Sequence, residues 1–226
     1  MINWLIQSLT AHPYLARDLP PPGLLSQKEQ ETFQALKSKK RQRDWLLGRC
    51  TAKHLVQATV GHDIPLLEIE IGNKANGAPI VNFPLPMSND QSPVSLSISH
   101  SHGTAFCVLL QRPFWPIGCD IELIESRAQS FVSDYFTVAE KAMVEKAGEQ
   151  RDQLVTIIWS AKEAALKALE LGLNADTRAI ECLQKPLPAT GKWQSFTVNN
   201  YINNIMLTGW YRVINPFVLT IVAKPV

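Results

Sequence analysis

Asp120 and Glu122 stand two residues apart in the apolar run from Pro116 to Leu123. That spacing puts both carboxylates on one face of a strand, about 7 Å apart. Further on, Trp159-Ser160-Ala161-Lys162-Glu163-Ala164-Ala165-Leu166-Lys167 lies in a helix-period run, where Glu163 and Lys167 share a face one turn apart. Each segment alone has a plain reading, a solvated strand face and a surface helix with an ion pair. Together, three carboxylates with Lys162 and Lys167 suit a divalent cation holding a polyphosphate. Mg²⁺ takes carboxylate and phosphate oxygens, and lysine supplies a point charge beside them.

These residues need elements to position them. The chain has 226 residues, 46% of them hydrophobic, enough to bury a core in one domain or two packed halves. Helices are predicted over residues 27–36 and 41–60, followed by strands at 66–71, 78–82, 94–99 and 104–110. A second set opens with a strand at 117–123, continues with helices at 127–135, 138–146 and 151–171, and closes with strands at 178–183, 193–198, 205–213 and 218–223. Pro113-Phe114-Trp115-Pro116 reads as a hinge, because neither proline can donate into a central ladder. Two halves result, residues 1–112 and 117–226, in an α+β fold. Thr51-Ala52-Lys53-His54 faintly echoes Ser160-Ala161-Lys162-Glu163.

Composition narrows the function. A net charge of +2 is too mild for a nucleic-acid binder, and the basic run from Lys37 to Arg43 reads as a solvated helix start. Cys50, Cys107, Cys119 and Cys182 lack metal-type spacing and sit mostly in apolar runs, as reduced cytosolic thiols do. The N-terminus lacks a basic segment and a long apolar one, so neither a signal peptide nor a membrane span is expected.

The order Gly118-Cys119-Asp120-Ile121-Glu122, then Trp159-Ser160-Ala161-Lys162-Glu163-Ala164 with Lys167, resembles the 4′-phosphopantetheinyl transferases of the surfactin-synthetase-activating type. Upstream, Ser99-His100-Ser101 is similar to that family's strand end, and Arg43 to Arg49 with Ala52-Lys53 to its basic first helix. The resemblance implies two similar α/β halves related by a pseudo-twofold, with the active site in the cleft between them. It implies transfer of the phosphopantetheine arm of coenzyme A to a serine of an apo carrier protein of acyl, polyketide or peptidyl type. The enzyme would be a cytoplasmic monomer without nucleic-acid or membrane partners. Mg²⁺, with Mn²⁺ as an alternative, would be held by Asp120, Glu122 and Glu163. Glu163, Lys162 and Lys167 would serve catalysis, with Glu163 as ligand, base or both. Arg49, Lys53 and His100 would bind the coenzyme's 3′-phosphate and adenine, with Arg43, Lys74 and Ser99 beside them.

One position departs from the family. Its Gly-Lys-Pro turn reads Gly77-Ala78-Pro79 here, so Lys74 is the candidate replacement for a missing lysine. Two other classes compete. A metal-dependent hydrolase would use His100, His102 and Asp120, although His12, His54 and His62 show no metal spacing relative to that pair. A non-catalytic coenzyme- or carrier-binding module would be marked by loss of a metal carboxylate, and all three are present. No Gly-x-Ser-x-Gly elbow supports a serine hydrolase.

Overall fold

A computed structural model describes residues 1–60, 64–82, 94–172, 175–183, 191–203 and 205–225. The chain divides into two compact units, Met1–Trp115 and Pro116–Val226.

The first unit contains β1 (Ile2–Ser8), α1 (Gln27–Ala35), α2 (Lys39–Val60), β2 (Glu70–Asn73), β3 (Pro79–Asn82), β4 (Ser95–Ser101) and β5 (Thr104–Leu110). β5 is the continuous apolar run of this half, buried along its whole length, and takes the centre of an antiparallel sheet in the order β1-β5-β4. β2 and β3 form a hairpin, and β3 packs beside β4. α2 lies on β5 and β1, and Gly48 admits β4 so closely that an added Cβ would stand 3.1 Å from Ile98 Cγ2. His102 (φ 47°) and Gly103 (φ 71°) make the two-residue turn between β4 and β5, the twist that matches right-handed strands.

The second unit contains β6 (Ile117–Leu123), α3 (Gln129–Tyr135), α4 (Val138–Glu145), α5 (Arg151–Ala168), β7 (Ile180–Leu183), β8 (Gln194–Asn200), β9 (Leu207–Ile214) and β10 (Phe217–Ala223). Its antiparallel sheet runs β6-β10-β9-β8-β7. α5 covers it with an alanine-rich face, where Ala161, Ala164, Ala165 and Ala168 meet Ile180, Phe196, Val218 and Val222.

Both units use the same wiring: one strand, short and long helices, then four strands, the last of which pairs with the first. The α+β expectation holds, and the elements fall close to their predicted places. Two differ. Residues 66–68 form a single 3₁₀ turn after Pro65, and the strand begins only at Glu70. The N-terminal residues 2–8, read only as an apolar start, are β1, whose partner β5 lies about a hundred residues away. Nothing local marks such a pairing.

Candidate active site

In the second unit the strand and helix motifs meet because of Gly118. A Cβ built there would sit 1.9 Å from Ala164 O and 2.6 Å from Ala168 N. Only glycine lets β6 approach the backbone of α5 this closely. Two residues on, Asp120 is buried, and its Oδ1 accepts from Lys167 Nζ at 2.7 Å. On α5 the partly open positions of the second half are Trp159, Glu163 and Lys167, a stripe at spacing four. Glu122 is half-buried, with Arg127 Nη2 at 3.5 Å, and Arg127 also pairs with Glu125 at 2.9 Å.

The carboxylates feel one another. Glu163 is pushed up to about 7 by burial and by the Asp120 charge, against the opposing pull of Lys167. Glu122 is pushed up to about 7 by burial, then by Asp120 and Glu163, with Arg127 and Lys167 pulling the other way. Burial lowers the Lys167 ammonium's proton affinity, but Asp120, Cys119 and Glu163 outweigh it and raise its pKa. This is a patch of excess negative charge, partly dry, of the kind that concentrates at functional sites. Among the described residues, no group of three or more His, Cys, Asp and Glu side chains is already set to hold a metal ion. The three-carboxylate cage expected from the motifs is therefore not formed by the protein side chains alone.

Lys162 requires a correction. It has no exposed side-chain surface, and its ammonium pairs with the buried Glu140 at 2.9 Å while donating to Thr177 O at 2.9 Å and to Ile180 O. All three protons are engaged inside the unit, so it does not face a departing phosphate. The sequence offered a sign of this: Ile158 and Leu166, four residues to either side, belong to the buried face.

The first unit holds a cavity of about 510 Å³ lined by Lys40, Arg41, Trp45, Arg49, Asn73 and His100, among others. Arg41, Trp45 and Arg49 follow one another at spacing four along α2. Arg49 is 6% exposed, lies over the Trp45 ring at 4.9 Å, and donates through Nη2 to Asn73 Oδ1 at 2.6 Å. Its Nε has no hydrogen-bond partner among the described residues, and burial lowers its pKa. A buried guanidinium with donor capacity to spare is suited to an anion. Lys40 and Arg41 are gains over the sequence reading, which took their basic run for a solvated helix start.

Other expected coenzyme ligands fall elsewhere. Lys53 is fully buried and pairs with Glu29, also donating to Leu24 O at 2.6 Å and Leu66 O at 3.1 Å. It shares a helix face with Arg49 by spacing, but its ammonium turns into the core. Arg43 makes a two-pronged pair with Asp18, at 2.7 Å from Nε and 3.2 Å from Nη2. Lys74 Nζ lies 5.6 Å from the Phe114 ring centroid, and neither residue is among those lining the cavity. Ser99 is buried in β4, next to His100. The hydrolase set fares poorly: His102 belongs to the β4–β5 turn, where its Nδ1 lies 3.0 Å from Ser101 Oγ, and His62 lies outside the described residues.

A glycine-seated helix beside an acidic strand, carrying this carboxylate and lysine set, defines a class. The chain belongs to the 4′-phosphopantetheinyl transferase superfamily, whose family description matches residues 116–204. A holo-[acyl-carrier-protein] synthase of Exiguobacterium sibiricum is 37% identical over 94 residues, covering 39% of this chain and 69% of that protein. Among solved structures, a holo-(acyl-carrier-protein) synthase from Bacillus anthracis in complex with CoA (3′,5′-ADP) is 27% identical, covering 48% of this chain and 91% of that one, with a TM-score of 0.40. The Helicobacter pylori synthase in complex with coenzyme A is 22% identical, covering 49% and 98%, with a TM-score of 0.32. No helix among the described residues is long and apolar enough to cross a membrane.

Proposed function

We propose that this protein transfers the 4′-phosphopantetheine arm of coenzyme A to a serine of an apo carrier protein, releasing adenosine 3′,5′-bisphosphate. The observation that carries this reading is the coupled trio of Asp120, Glu122 and Glu163 with Lys167 on Asp120, in a unit that shares its family with holo-acyl-carrier-protein synthases.

The donor set fits Mg²⁺. This ion needs only one or two protein carboxylates and completes its octahedron with water and phosphate oxygens, so a three-carboxylate cage is not required. Asp120 and Glu122 would hold it from β6, and its chemistry when bound is neutralisation of the pyrophosphate. The chain's own residues supply the rest. Glu163, on the same stripe of α5 as Lys167, takes the serine proton as the serine oxygen attacks the phosphorus bearing the pantetheine arm. The bond from that phosphorus to the bridging oxygen breaks, and Lys167 offsets the charge growing on the departing phosphate. Such transfers depend on positioning and electrostatics more than on covalent help. In the first unit, Arg49, Arg41, Lys40 and His100 offer the cationic cavity for the coenzyme's 3′-phosphate. The first unit's shared wiring, outside residues 116–204 that the family description matches, supports the two-half, surfactin-synthetase-activating type.

The test is direct. Incubation with coenzyme A, Mg²⁺ and apo acyl, polyketide and peptidyl carrier domains should add one phosphopantetheine mass to a carrier serine. A protein that binds coenzyme A yet modifies no carrier would be the non-catalytic module instead.

A further inference from the structure

We propose that Glu140 and Lys162 are positioning residues: a buried ion pair that fixes the turn of α5 carrying Glu163 and Lys167. This rests on the transferase reading only for its kinetic consequence.

Both side chains have no exposed surface, and the pair sits where four segments join. Glu140 closes the capping box of α4, its Oε2 accepting from the Thr137 backbone N–H at 2.7 Å and from Lys162 at 2.9 Å. Its Oε1 accepts from the Cys182 backbone N–H of β7 at 2.7 Å. Lys162 spends its other protons on Thr177 O, in the turn that leads into β7, and on Ile180 O, at the first residue of that strand. Every donor and acceptor of the pair is therefore committed to backbone or to its partner.

Stability alone does not call for such a pair. Well-packed apolar side chains of similar volume hold a helix as well or better, because burying two charges costs their hydration. What the pair adds is direction. An apolar contact tolerates small rotation and sliding of a helix, whereas three bonds from one ammonium to fixed acceptors do not. Glu163 follows Lys162 directly, and Lys167 lies five residues on. A displacement of about 1 Å at a reacting group can cost about a hundredfold in rate.

The first unit contains the same device. Lys53 of α2 pairs with Glu29, which closes the capping box of α1; Glu29 Oε1 accepts from the Ile71 backbone N–H at 3.0 Å, and Lys53 donates to Leu24 O and Leu66 O. Here the helix turn so fixed carries Arg49, four residues earlier. The two lysines occupy the matched positions of the sequence echo, and in both units the pair underlies a helix that presents residues to a site.

The pair should be removed as a unit, since one half would leave a buried charge alone. Glu140→Gln/Lys162→Met, assayed well below its melting temperature and normalised to folded protein, should lose at least about tenfold in kcat while KM for coenzyme A stays within about twofold. Glu29→Gln/Lys53→Met should show the opposite split, KM rising and kcat holding. A merely structural pair would lower the melting temperature in both variants and move neither ratio; unchanged kcat in the first variant overturns the proposal. Should that variant fail to fold, lysine acylation of the native wild type decides. Lys146 should react fast and Lys162 only as fast as the protein unfolds, and rapid labelling of Lys162 would sink the clasp. A wild type without transferase activity would sink the proposed function instead, and the labelling result would stand apart from it.

Discussion

At the scale of single residues, the second unit holds Glu122 and Glu163 at a cost in stability that Lys167 and Arg127 offset in part and a bound cation would offset further. Glu122 and Glu163 have ordinary pKa values of 4.5 in the open chain and about 7 in the fold. Between those values the folded state binds more protons than the unfolded one, so stability falls as pH rises through the window and stays low above it. In EDTA, Glu163→Gln should match the wild type near pH 5 and exceed it by about 2 kcal/mol at pH 8, as read by denaturant melts. Mg²⁺ should restore the wild type at pH 8 and do less for the variant. A wild type equally stable at both pH values would refute the charge assignment. Asp120→Asn should fold and lose about a hundredfold or more in transfer rate, because it removes an ionic ligand and the partner of Lys167 together. In the cationic cavity, Arg49→Ala should raise KM for coenzyme A about ten- to a hundredfold, and for the 3′-dephospho coenzyme much less. Equal losses with the two substrates would show that Arg49 does not read the 3′-phosphate.

At the scale of elements, the contact between β6 and α5 is made of small residues for a reason. Gly118→Ala would drive a methyl group into Ala164 O, so β6 and α5 must part. Overpacking of this kind costs about 1–3 kcal/mol, and here it also separates Asp120 from Lys167. Loss of transfer should therefore exceed what the fraction unfolded explains, measured by activity per folded molecule. Helices α3 and α4 and the link between them divide their apolar residues: Val132 and Phe136 are buried, while Tyr135 and Val138 are exposed at 42% and 84%. Tyr135 and Phe131 stack edgewise on Trp159, one turn before Glu163, at 5.3 and 4.9 Å. This surface is our candidate for the carrier protein's dock. Tyr135→Ala with Lys146→Glu should lower kcat/KM for the carrier, with a shallower salt dependence, and leave coenzyme affinity unchanged.

At the scale of the whole molecule, each unit closes its own core, and the four cysteines belong to those cores. Burial raises Cys50 to about 11 and pushes Cys182 further up, aided there by Glu140. Thiolates are the reactive form, so none should be labelled by a thiol reagent at pH 8 while the protein stays folded. All four should appear together on denaturation. Labelling of Cys119 ahead of global unfolding would mean that β6, the acidic strand, opens by itself.

The sequence by itself determined the local chemistry and most elements, because both are written in short-range spacing. Asp120 and Glu122 at period two, Glu163 and Lys167 at period four, and the apolar runs of β5 and α5 need no distant partner to be read. What tertiary structure decided is which way a charged side chain turns and which distant strands pair. Lys162 and Lys53 look like site residues beside Glu163 and Arg49, yet one step along the helix turns Lys162 about 100° away from Glu163, and Lys53, on the Arg49 face by spacing, bends its ammonium into the core toward Glu29, Leu24 O and Leu66 O. Their partners Glu140 and Glu29 lie more than twenty residues away, and no spacing rule links them. β1 is a strand only because β5 offers it an edge, and Gly118 matters only because α5 arrives there. Those facts depend on contacts that the chain makes after folding, so they had to be found in three dimensions.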